Sequence, residues 1–253
     1  MRLQARLNGA WTDLLVPVRS MAALKKDPFF NGAYLMAPWC NRLPKARFRF
    51  RGTSHRLRPN FPDGSAIHGD VHARAWRVVR QSAVSFEAEL DSRRARAFNF
   101  PWPVVVRHGV RLSARGVSAW ISVRNVGDAD IPAGVGFHPF FRRSLSKSGA
   151  DIEIPPQRRT SLARRVYDEG HRLTGHDIRL SYADPDVVVL LRPGKNAKHL
   201  FVWAPKTFRG RAATFACVEP MTMKAGGFEG RDMKVLKPGE TLRMAWLVEA
   251  RTI

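Results

Sequence analysis

Apolar residues in this chain recur with a period of two. From Trp76 to Leu90, "WRVVRQSAVSFEAEL", the residues Trp76, Val78, Val84, Phe86, Ala88 and Leu90 take the even positions, while Arg77, Gln81, Ser85, Glu87 and Glu89 take the odd ones. Successive side chains of a strand point to opposite faces, so this pattern predicts a strand with one face buried. It recurs in "VSAWISV", where Val117, Ala119, Ile121 and Val123 share a face, and in "LRMAWLVEA", with Leu242, Met244, Trp246 and Val248. Turn signals separate the runs: "FPDGS", "NVGDADIP", "RPGKN" and "KPGE". Helical periodicity is confined to "SMAALKKD", where Ser20 is placed to cap. Many short strands between Gly, Pro and Asn turns predict an all-β chain, a large antiparallel β-sandwich. No linker interrupts it, so residues 1–253 read as one domain.

The chain is long enough for that, with 253 residues and 44% hydrophobic content. Its charge is lopsided: 43 Lys and Arg against 21 Asp and Glu, a formal +22. Such a surface attracts polyanions without selecting among them. The basic residues are scattered, as in "RFRFRG" and "RRTSLARR", and make no basic tail. No zinc-finger spacing or RNP-like motif is present, so a solvated basic face is preferred to specific nucleic-acid binding. The N-terminal residues lack an unbroken apolar stretch, and no 18-residue apolar run marks a membrane span. A cytoplasmic protein is the expectation. Cys40 and Cys217 both sit among apolar residues and read as buried thiols. No apolar stripe is long enough to predict an oligomer interface.

Polar residues break the alternation in four places. These are "APWCNRLPKARF", with Trp39, Asn41 and Arg42; "SAIHGDVHARAW", with His68, Asp70, His72 and Arg74; "IPAGVGFHPFFRR", with His138; and "ACVEPMTMKAGGFEG", with Glu219. A lone carboxylate in an apolar strand is costly unless paired or functional. Apolar surroundings raise its pKa and make it a better base near neutrality. An imidazole titrates closest to neutral pH, so His138 suits proton transfer. The structural alternative, a satisfied core histidine, stands beside that reading.

Other chemistries lack their signatures. No phosphate-binding or dinucleotide loop appears, nor a G-x-S-x-G elbow. His68 and His72 have i, i+4 spacing, but in an extended segment they would lie about 13 Å apart. No His-Glu-x-x-His or Cys/His pairing supports zinc. The expectation is therefore no metal, no cofactor and an acid/base site.

Taken in order, these segments resemble the aldose 1-epimerase (galactose mutarotase-like) family. "APWCNRL" resembles its Pro-Trp-x-Asn-Arg segment, with Cys40 where Pro is more usual. "IHGDVHARAW" resembles its His-Gly segment, "GVGFHPFF" its His-Pro-Tyr-Phe segment, and "VEPMT" with "VLKPGETLRMAWLV" its C-terminal strands. The resemblance implies a large β-sandwich with an open sugar-binding cleft and no cofactor. It implies His138 as the acid that protonates the ring oxygen and Glu219 as the base at the anomeric hydroxyl. His68 and Arg42 would hold the ring oxygen and neighbouring hydroxyls. Asn41, Arg74 and Trp39 join them as substrate-binding candidates, Trp39 by stacking along with Phe137, Phe140 or Trp76. Against each of these aromatics stands a core role.

Two departures accompany the resemblance. The family's sugar-binding Asp, often within Leu-Asp-x-x-Phe, has Ser181 of "RLSYADPD" at the expected position, with Asp177 and Asp184 as substitutes. The usual first strands are hard to find before "GAYLMAPWCNRL". The expected partner is a small sugar or sugar phosphate, the latter if Arg42, Arg74, Arg77, Arg142 and Arg143 gather on one phosphate.

Overall fold

The computed structural model describes all residues except 1, 8, 31, 147, 157, 158, 164, 184, 185, 229–232 and 253. Two antiparallel sheets dominate. One has nine strands, in the order Thr160–Ser161, Ala150–Glu153, Ile178–Ala183, Asp186–Pro193, Thr241–Thr252, Gly116–Asn125, Val104–Ser113, Ser85–Asp91 and Arg77–Gln81. The other has five: Tyr167–Arg172, His199–Ala204, Phe215–Met221, Gly136–Arg142 and Ala33–Met36. They share one apolar core. Ala119, Ile121, Val123, Leu242, Met244, Trp246 and Val248 of the large sheet are buried, as their alternation predicts. Phe137 of the small sheet stacks on Trp246 of the large one, ring centroids 5.2 Å apart. This is the antiparallel β-sandwich the sequence calls for.

Two local expectations need correction. Residues 76–90 are not one strand: Ser82 turns the chain, its hydroxyl accepting from the N–H groups of Val84 and Ser85. The result is a hairpin of Arg77–Gln81 and Ser85–Asp91, with a register shift between Val78 and Arg80. Ala88 and Leu90 face the core, whereas Val78 and Val84 are about half exposed on an edge. The N-terminal strands, hard to find in the sequence, are present as a hairpin of Gln4–Leu7 with Ala10–Asp13. The helix Met21–Lys26 forms as expected, with Ser20 accepting from the Ala23 N–H at 3.1 Å. Cys40 and Cys217 are free and buried. Among the described residues no helix is long and apolar enough to cross a membrane.

Candidate active site

The five-stranded sheet brings the two singled-out residues together by register. His138 lies on Gly136–Arg142 and Glu219 on the neighbouring Phe215–Met221. Those strands pair Gly136 with Met221 and Phe140 with Cys217, which sets His138 across from Glu219 on one face. Each is followed by a proline, Pro139 and Pro220, which has no N–H to give the ladder. The His138 Nε2–Glu219 Oε1 distance is 3.2 Å, with both side chains buried. The row extends to both sides: Tyr34 pairs with His138, and Phe201 pairs with Glu219.

His68 arrives from another direction. It follows the short strand Ala66–Ile67, which pairs with Arg42–Leu43. Asn41 (φ 56°) and His68 (φ 59°) both adopt the left-handed region, uncommon for residues other than glycine. They hold each other there. The His68 N–H donates to the Asn41 carbonyl at 3.0 Å, and the Asn41 N–H donates to His68 Nδ1 at 3.3 Å. Gly69 (φ 74°) packs so closely on Ala37 that a Cβ would sit 1.8 Å from its carbonyl oxygen. Backbone strain of this kind gathers where side-chain direction matters.

These groups open into a cavity of about 730 Å³. Tyr34, Asn41, Arg42, His68, His138 and Glu219 line it, with aromatic walls from Phe29, Phe61, Phe201, Trp203 and Phe208. Five of the sequence candidates are thus brought together. Trp39 and Arg74 are not. Trp39 is fully buried, its indole N–H donating to the Ala66 carbonyl at 3.4 Å. Phe137 and Phe140 are core residues as well, so the stacking surfaces come from aromatics that carry no motif. Arg74 is held by Asp70 and by the carbonyls of Arg96 and Ala97. Nor do the arginines gather on one phosphate. Arg77 pairs with Glu89, Arg142 approaches Asp13 at 4.0 Å, and Arg143 donates to the carbonyls of Leu162 and Pro205.

A carboxylate does line the cavity from the edge strand Tyr167–Arg172, that of Asp168. Ser181 and Asp177 lie elsewhere: Ser181 pairs with Asp151 and Val188 in the large sheet, and Asp177 binds Arg192. Asp184 falls outside the described residues. In the sequence Asp168 stands in "VYDEGH", which shares only the Asp with Leu-Asp-x-x-Phe, since Tyr167 takes the Leu position and His171 the Phe position.

Burial governs the protonation of the pair. It drives the Glu219 carboxyl well above the usual carboxylate range, and the charge of Asp168 adds to this. Glu219 Oε2 has no hydrogen-bond partner among the described residues. Burial also pushes the His138 imidazolium down to about 3. An imidazole that releases its proton beside a carboxyl that keeps one makes a coupled unit holding a single proton across a wide pH range.

His68, His138 and Glu219 offer ligand-type atoms within 4.8 Å of one another. Their donor set fits a metal poorly. Because His68 Nδ1 accepts the Asn41 N–H, the neutral ring carries its proton on Nε2. That nitrogen donates hydrogen bonds and has no lone pair for a cation. The i, i+4 partner His72 is not 13 Å away along an extended segment: residues 68–74 turn, and His68 and His72 both face the Tyr34 ring, at 5.7 and 5.6 Å.

Residues 3–155 match the sequence profile described as aldose 1-epimerase. The chain belongs to the aldose 1-epimerase family. Another relative is an uncharacterized protein of Escherichia coli (strain K12), YphB, 25% identical over 278 residues that cover 95% of this chain and 93% of that one. Solved structures share the fold. A candidate aldose 1-epimerase of Escherichia coli K12 superposes with a TM-score of 0.81 at 20% identity, covering 100% of this chain and 99% of that chain. A galactose mutarotase-like protein of Clostridium acetobutylicum also gives 0.81, at 17% identity over 96% of this chain and 86% of its own. This family member thus carries its His-Pro and Glu-Pro segments on adjacent strands facing one cavity.

Proposed function

We propose that the protein interconverts the α and β anomers of a free aldose by acid/base opening and closing of the hemiacetal. The observation that carries this is the 3.2 Å contact of His138 with Glu219 on the wall of a sugar-sized cavity. Ring opening takes a proton from O1, breaks the C1–O5 bond and delivers a proton to O5. Both oxygens are bonded to C1, so acid and base must stand close together. Across the 3.2 Å contact the shared proton first passes from Glu219 to His138; the Glu219 carboxylate then accepts the O1 proton while the His138 imidazolium gives one to O5, which returns the pair to its resting form. The electron pair of the C1–O5 bond leaves with O5, and O1 becomes the carbonyl. Rotation about C1–C2 and the reverse transfer close the other anomer. The pair begins and ends with one proton, so neither cofactor nor bulk water is needed to balance the step. The direct contact of the two groups favours docking of the hemiacetal edge against both over a pyranose held between them.

His68 Nε2–H, Asn41 and Arg42 are in position to donate to ring oxygen and hydroxyls, and Asp168 to accept from hydroxyls. Phe201 and Trp203 offer faces for the sugar C–H groups. A free aldose is favoured over a phosphorylated one because both cavity arginines are already paired. Arg42 meets Asp63 at 2.8 Å and lies over Phe61, and Arg209 binds Asp27 and lies over Phe208. Anomer exchange followed by NMR with glucose, galactose and glucose 6-phosphate tests the reading. Catalysis of a free sugar supports it. Saturable binding without exchange would make the chain a carbohydrate-binding protein instead.

A further inference from the structure

Tyr34 carries no motif, yet it stands opposite His138 in the register of Ala33–Met36 with Gly136–Arg142. Its ring lies parallel to the imidazole, centroids 4.3 Å apart and planes 18° from coplanar. We propose that Tyr34 is a positioning residue: its ring holds the His138 imidazole in the plane that reaches Glu219 and keeps water off one face. This rests on the acid role given to His138 above.

The surroundings fit that role. Rotation of the imidazole would break its contact with Glu219 and also lose the parallel stack. Around His138, the His68 ring stands edge-on at 4.8 Å and the Phe140 ring is tilted at 4.9 Å. Tyr34 is itself braced from behind by Phe29 and His72, at 6.1 and 5.6 Å. The titratable groups near the acid include Glu219, His68, His72 and Tyr34; Asp168 acts on Glu219, Arg42 on His68, and Cys217 and Asp27 on Tyr34. Burial raises the Tyr34 phenol well above its ordinary value, so the ring stays neutral beside the pair.

The test compares Tyr34→Phe, Tyr34→Leu and Tyr34→Met, reading His138 by pH titration of the 15N-histidine-labelled protein and turnover by anomer exchange. Phe keeps the ring, so the His138 midpoint and kcat should stay within about twofold of wild type. Leu removes the ring and admits water, so the midpoint should climb from about 3 toward the ordinary histidine value. In the same variant kcat should fall about tenfold or more while KM changes less, since loss of a well-placed acid costs about 10²–10⁴. Met, which fills the space without a ring, gives the same comparison if Leu does not fold. An unmoved midpoint in both ringless variants, or a loss in Phe equal to that in Leu, overturns the proposal. The titration needs no turnover, so the two readings fail separately: a shifted midpoint in a chain inactive on every aldose would refute the acid role and leave only the ring's shielding of the imidazole.

Discussion

At the scale of single residues, the account turns on one proton. His138 prefers to be neutral and Glu219 prefers to be protonated, both because they are buried. The two have opposite consequences for stability. The folded His138 pKa lies below the unfolded value, so its contribution is complete above pH 6.5 and is lost as pH falls toward 3. The folded Glu219 pKa lies above the unfolded 4.5, so its contribution is complete below that pH and is lost as pH rises. Glu219→Gln, which never ionises, should therefore be more stable than wild type at pH 8 by about 1–3 kcal/mol. The gap should close toward pH 4; urea denaturation at the two pH values measures it. Catalysis should follow the same proton. kcat/KM should be flat across the range where the pair holds one proton, falling below pH about 3 and again above the raised pKa of Glu219. A pH series of anomer exchange, corrected for the spontaneous reaction, reads both limbs.

At the scale of elements, the site is made by two His/Glu-Pro dipeptides laid side by side and by one strained turn. The strands themselves were legible: "VSAWISV" and "LRMAWLVEA" alternate and bury the faces their pattern names. The hairpin at 76–90 was not, because Ser82 and Ala83 turn the chain without glycine or proline and keep the even-odd count intact across the turn. The geometry of His68 was hidden for a related reason. Extended spacing predicts about 13 Å between His68 and His72, while left-handed His68 and Gly69 fold the segment back onto Ala37. Gly69→Ala should be severe, since its Cβ would meet the Ala37 backbone at 1.8 Å. A loss of several kcal/mol, about 3 or more, is expected together with loss of sugar binding. Gly175→Ala, also left-handed but with open space around it, should cost only about 1–2 kcal/mol and leave binding intact. Thermal unfolding of the two variants makes the comparison.

At the scale of the whole molecule, the +22 charge and the cavity belong to different parts of the story. The cavity wall carries Asp27, Asp168 and Glu219 with Arg42 and Arg209, so the excess of arginine lies elsewhere on the molecule. Which acids and aromatics face the cavity was mostly out of reach of the sequence. Phe29, Phe61, Trp203 and Phe208 come from segments without motifs, and Asp168 sits earlier in the chain than the Ser181 position singled out for it. Asp168→Asn should raise KM for a free aldose by about tenfold or more, the worth of a charge-assisted hydrogen bond. Ser181→Ala, altered in the other sheet, should leave KM unchanged. The most direct test of the central claim is anomer exchange of glucose and galactose by NMR with wild type, His138→Ala, Glu219→Gln and the double variant. The account predicts that each single change costs about 10²–10⁴-fold and that the double variant loses scarcely more, because the two groups work on one proton. Near wild-type exchange in either single variant, or losses that multiply in the double one, would contradict it.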